Sequence, residues 1–89
     1  MKSLPENVTP FRRTNSFTRH TVPNGLLNDH QTKDGVWGLI QVEVGALEYA
    51  IGADEVYILT PGKNGVVEPT VPHHVKPLGE VVFFVEFYK

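Results

Sequence analysis

The stretch from Val36 to Gly52, VWGLIQVEVGALEYAIG, decides the fold class. Its apolar residues recur at every second position, Ile40, Val42 and Val44 before Gly45 and Leu47, Tyr49 and Ile51 after it. Gln41 and Glu43 share the other side with Trp37 and Leu39. Alternate side chains of a strand point to opposite faces, so this period buries one face of a sheet, whereas an amphipathic helix repeats near 3.6 residues. Gly45 and Ala46 form a Gly-X pair suited to a tight type II′ turn, and the stretch reads as a hairpin.

The flanking chain is punctuated in the same manner. EVYILT, Glu55 to Thr60, reads as a third strand stopped by Pro61 and Gly62, with short strands around Val66 and Val67 and around His74 and Val75. EVVFFVEFYK, Glu80 to Lys89, is apolar on both faces, as expected inside a sandwich or at a subunit contact. Pro23, Asn24 and Gly25 mark a turn before Leu26 and Leu27. The first 15 residues are polar, contain Pro5 and Pro10, and read as an extended N-terminal arm. Seven Pro and eight Gly leave helix almost no foothold. These features predict an all-β antiparallel sandwich or barrel, a single domain over residues 1–89.

A domain of this size hides only about 60 to 65% of the surface its unfolded chain exposes, so a partner subunit would add stability and a homodimer is expected. Eight Lys and Arg against ten Asp and Glu give a net charge of −2 with no block of either sign, which speaks against nucleic acid or an anionic membrane as partner. Arg12, Arg13 and Arg19 fall near the N-terminus, where a solvated arm competes with a phosphate-binding role. Without cysteine there is no disulfide, thiolate ligand or cysteine nucleophile. No signal-peptide core or bilayer-spanning window occurs, so a cytoplasmic protein is expected.

Four histidines, His20, His30, His73 and His74, carry the chemical interest. Histidine is the commonest metal ligand, but this spacing matches neither a zinc finger nor a His-Glu-x-x-His helix, so a site must be assembled across strands. In GKNGVVEPTVPHHVKP, Gly62 to Pro77, Pro69 and Pro72 stiffen the chain before His73 and fix its direction, as a preorganised ligand requires. His30 reads as a ligand or as a buried imidazole bonded to a backbone carbonyl. His74, on the opposite face from His73, reads as a surface or interface residue, and His20 as solvated. Glu68 is a third metal ligand or a general base on one reading, a loop carboxylate paired with Lys63 or Lys76 on the other. Two histidines and a carboxylate would leave positions open on iron(II), or on zinc with bound water. Glu43 and Gln41 read as solvated, and Trp37, Phe83, Phe84, Phe87 and Tyr88 as core or dimer contacts.

The segment Gly62 to His73 resembles the second sequence motif of the cupin superfamily: a Gly, five residues, a Pro-x-Gly turn, two residues and a ligand His. Gly62 and His73 hold the family spacing, with Glu68 in place of the Pro and Thr70 in place of the Gly. The first motif, His-x-His followed by Glu and Gly, keeps only His30; Thr32 or Lys33 stands at the second His and Gly38 at the Glu. TVPNGLLNDHQTKDGVWG, VEVGALEY and VVEPTVPHHVKPLGEVVFFVEFYK together resemble the TehB/YeaR-like family of small cupins, related to tellurite resistance. Some members join this domain to a methyltransferase, and methyl transfer is not carried over to these 89 residues. On the residues, a divalent metal (zinc, iron or nickel) is expected on His30 and His73, joined by Glu68 on its ligand reading; the resemblance implies a double-stranded β-helix around that site. It also implies a pocket for a small molecule or oxyanion and a link to oxyanion or nitrosative stress. The alternative is a metal-free small-molecule sensor or protein-interaction module whose pocket has decayed with the first motif.

Overall fold

Gly45 and Ala46 make no turn in the structure, a computed structural model that describes residues 1–89. Counting strands in chain order, β3 runs unbroken over Trp37–Ile51, and the chain reverses at Gly52 to Asp54 into β4, Glu55–Leu59. The sequence expectation of a hairpin at Gly45 is therefore corrected to a bulged strand. Val42 pairs with Phe83 and Val44 with Val82, so Glu43 is an extra residue that resets the alternation. Ile40 and Val42 are buried before the bulge and Leu47 and Tyr49 after it, while Val44, expected on the inner face, is 55% exposed. Gly45 has φ +81°, and a Cβ there would lie 1.9 Å from the Glu80 carbonyl oxygen. A left-handed glycine serves a bulge as well as a turn, which is why the sequence signal misled.

The two short segments expected around His74 and after Glu80 are likewise one strand, β6, His73–Tyr88, paired along β3 from Ile51 to Trp37. A second irregularity sets Leu78, Gly79 and Glu80 opposite Ala46. On its other edge β6 pairs with β1, Pro10–Arg13, and β2, Phe17–Thr18, so it is central in the order β1-β6-β3-β4. On one face of β6 Val81, Phe83 and Val85 enter the core, and on the other Phe84 is covered by the Arg13 guanidinium, 3.6 Å from its ring centroid. The N-terminal segment is thus exposed but tied into the sheet. Beyond β4, β5 (Gly65–Val67) returns to the first half of β3, opposite Gly38 to Ile40.

The sheet curls on itself around Tyr49, which is 1% exposed and donates its hydroxyl proton to the Val66 carbonyl at 2.8 Å. Gly65 makes room for it: a Cβ there would come within 2.9 Å of the Tyr49 ring. Phe83, fully buried, meets the edge of Phe17 at 5.7 Å between centroids. One turn of helix, α1 (Asn24–Leu27), follows Pro23 and packs against β6. The fold is all-β, antiparallel and cupin-like, as the sequence predicts. No helix is long and apolar enough to cross a membrane.

Candidate functional site

The curled sheet, β2 and α1 enclose a cavity of about 280 Å³, near the lower end of the range for small-molecule sites. Its walls are largely apolar, with Phe17, Leu26, Ile40, Phe83 and Phe87 among them, and no Asp, Glu, Lys or Arg lines it. Its polar side chains are Thr14, Thr32, His30 and His73. Both threonines are engaged: Thr14 Oγ1 accepts from the Val85 amide at 3.0 Å, and Thr32 Oγ1 donates to the Val36 carbonyl at 2.7 Å.

The histidines arrive from two segments that clamp each other. His73 opens β6 directly after Pro72, whose carbonyl accepts from the Gly52 amide at 2.9 Å. His30 follows α1, where the Asn28 side-chain amide donates to the Asn24 carbonyl at 2.9 Å and closes the helical turn. The His30 and His73 backbones form an antiparallel bridge, and their rings lie 4.1 Å apart with a 53° tilt. Outside the cavity the neighbouring residues repeat the join, His74 Nδ1 lying 2.8 Å from Asp29 Oδ1.

Each imidazole of the pair points Nδ1 at the carbonyl two residues upstream, His73 at Val71 (3.1 Å) and His30 at Asn28 (3.4 Å). A carbonyl can only accept, so the proton sits on Nδ1 and Nε2 carries a free lone pair in the neutral ring. His73 lines the cavity, and the protein supplies no partner for its Nε2. At 4% exposure His73 is held below the usual imidazole range, chiefly by loss of hydration. The Val71 carbonyl opposes that shift and the His30 imidazole adds to it.

Glu68 stands apart. Its carboxylate lies 3.7 Å from Lys2 Nζ and does not line the cavity, and no three His, Asp or Glu side chains gather as a ligand group. Its field acts on Tyr49 instead, whose hydroxyl is raised first by burial and then by Glu68. His74 is half-buried against Asp29, and His20 is exposed beside Arg19. Glu43 accepts from Ser16 at 2.8 Å and Gln41 donates to Glu86, so both are occupied on the outer face. The sequence reading missed the cavity walls from Phe17 and Leu26. The pair Leu26 and Leu27, apolar in an otherwise polar loop, was the available signal.

Fold and site together define a small cupin-like domain with a histidine-ended apolar cavity. The family model of the TehB-like domain matches residues 12–85, and the chain belongs to that family. Its family relation is to tellurite-resistance proteins. The crystal structure of a protein from E. coli strain K12 superposes with a TM-score of 0.91 at 25% identity, over 100% of this chain and 97% of that one. TehB from Haemophilus influenzae superposes with a TM-score of 0.86 at 24% identity, over 93% of this chain but only 32% of TehB, and shows the fold alone. No curated protein matches the sequence.

Proposed function

We propose that the domain is a binding module that holds a divalent metal ion on His30 and His73 and takes a small molecule or oxyanion at the ion's open positions. The observation that carries this reading is the pair of Nε2 lone pairs left free at an otherwise apolar cavity whose threonines are spent. Metal-binding histidines characteristically donate the other ring N–H to a carbonyl or carboxylate, which fixes tautomer and orientation. The donor set fits zinc, nickel or iron(II), and with two protein ligands it leaves more than one position to solvent or ligand. When bound, the ion supplies a Lewis acid that polarises a ligand oxygen. The chain's own contribution is to hold two neutral imidazoles in place and to keep bulk water away with Phe17, Leu26 and Phe87. Binding is favoured over a reaction with Glu68 as general base, because that carboxylate pairs with Lys2 away from the cavity. The relation of the family to tellurite resistance suits an oxyanion-handling role.

Elemental analysis of protein purified without chelator tests the reading, with His73→Asn as control. Wild type is expected to carry metal, and its melting midpoint to rise with added Zn²⁺ or Ni²⁺, while the variant shows neither effect. Equal metal content in the two proteins would overturn it. The metal-free reading, a cavity that takes an uncharged small molecule directly, is favoured by the apolar walls and the missing third ligand. Midpoints unmoved by metal but raised by an apolar probe would select it.

A further inference from the structure

The cavity has a basic mouth. A second, shallower depression shares Leu26, His30, Thr32 and Phe87 with it and is otherwise bounded in part by Arg12, Lys33 and Lys89. On its other flank a groove adds Arg13 and again Arg12. No Asp or Glu lines any of the three depressions, although the chain as a whole carries a net charge of −2. Arg12 and Lys33 have no carboxylate partner; the ion pairs of the molecule involve Lys2, Arg19 and His74. Lys89 Nζ is instead parked 4.4 Å above the Phe11 ring, at the rim of the same depression. His73 is deep, His30 sits at the seam, and the cations stand outside.

Unpaired cations gathered at one opening, on a protein otherwise rich in carboxylates, give a local positive field where an anion gains without displacing an internal partner. A fully hydrated inorganic ion gains nothing from the apolar walls, and an uncharged molecule nothing from the rim. We infer that the cavity takes a small amphipathic carboxylate, its apolar body between Phe17, Leu26 and Phe87 and its carboxylate at the rim with Arg12 and Lys33. This rests on the reading of the cavity as a small-molecule site and holds with or without an ion on the histidines.

Calorimetric titration of chelator-stripped protein with hexanoate and with hexanamide tests it, in wild type and in the Arg12→Gln/Lys33→Gln double variant. Hexanoate is expected to bind wild type about ten-fold more tightly than hexanamide, the yield of two solvent-screened contacts to a charged group. That preference should shrink with added salt and vanish in the double variant. Hexanamide should bind both proteins alike, which shows that the variant's cavity is intact. Equal affinity for the two probes in wild type, or a preference that survives the double substitution, overturns the inference and leaves the small-molecule cavity standing. Binding of neither probe overturns the inference together with the reading of the cavity as a site that takes a small molecule without metal.

Discussion

The backbones of His30 and His73 exchange both of their hydrogen bonds, at 3.0 and 2.9 Å, and this bridge sets their rings 4.1 Å apart at the cavity. Neither residue lies in a long loop free to search for its partner. Thr70 N donates to the Thr32 carbonyl at 3.1 Å, so the two segments are stitched on one side of the histidines by this bond and on the other by Asp29 and His74. Such a clamp preorganises two Nε2 atoms without any third side chain, which is the condition for a ligand to be met rather than assembled.

Burial of His73 makes stability depend on pH. Because its imidazole titrates below 6.5 when folded, the unfolded chain binds more protons in the interval between the two values. The neutral ring's contribution is therefore intact above about pH 6.5 and is lost as pH falls toward the depressed folded value. His73→Asn keeps a donor for the Val71 carbonyl and removes the titration. Urea midpoints of chelator-treated protein, compared between about pH 8 and about pH 5, should fall less for the variant than for wild type. Parallel pH profiles would show that His73 is not the group responsible.

Thr70 and Gly45 give opposite expectations from the same backbone region. Thr70, at the position where the cupin motif carries glycine, has φ +64° and is the one non-glycine residue with positive φ. A β-branched side chain is strained there, and asparagine tolerates that region far better. Thr70→Asn should stabilise the domain by about 0.5 to 1 kcal/mol. At Gly45 the left-handed backbone is combined with the Glu80 carbonyl, 1.9 Å from where a Cβ would stand, and both strands would have to part. Gly45→Ala should cost about 3 kcal/mol or more. Chemical denaturation of the two variants checks both signs.

How much was legible in the sequence follows from the same residues. The period of two around Ile40 and Tyr49 specifies strand wherever it occurs, so the all-β class could be read directly, and the buried face on either side of the bulge but not at Val44. The path of the chain could not. Glycine at φ +81° is compatible with a turn or a bulge, and only the partner strand, 35 residues away at Glu80, decides between them. His73 was found through the prolines that aim it, a local signal. Its meeting with His30 rests on a backbone bridge across 43 positions, and the separation of Glu68 from them on which way one loop carboxylate turns. Neither is encoded in spacing.

Tyr49 joins the sheet's closure to the site. Its hydroxyl holds the Val66 carbonyl of β5, and its ring stands edge-on to His73 at 5.9 Å. Tyr49→Phe keeps the packing and loses the hydrogen bond, at an expected cost of about 1 kcal/mol. The loss should be local: amide exchange is expected to accelerate in β5, Gly65–Val67, more than in β6, and hydrogen exchange resolves the two. Uniform acceleration over both strands would mean that the bond only adds to global stability.

Glu68 separates the two forms a metal site could take. A third ligand would be missed: Glu68→Gln would lower metal content and erase the rise in melting midpoint on adding Zn²⁺. In the structure that carboxylate faces Lys2 at 3.7 Å, with the lysine side chain 74% exposed, and lies outside the cavity that His30 and His73 share. A solvent-screened pair of this kind contributes less than about 1 kcal/mol. Glu68→Gln should therefore leave metal content and the metal-induced shift at the wild-type level and move the metal-free midpoint only slightly. His30→Ala, by contrast, removes one of the two Nε2 donors and should abolish the metal response as fully as His73→Asn does. A Glu68→Gln protein that loses its metal would place the loop of Glu68 against the histidines in solution and overturn the two-ligand site.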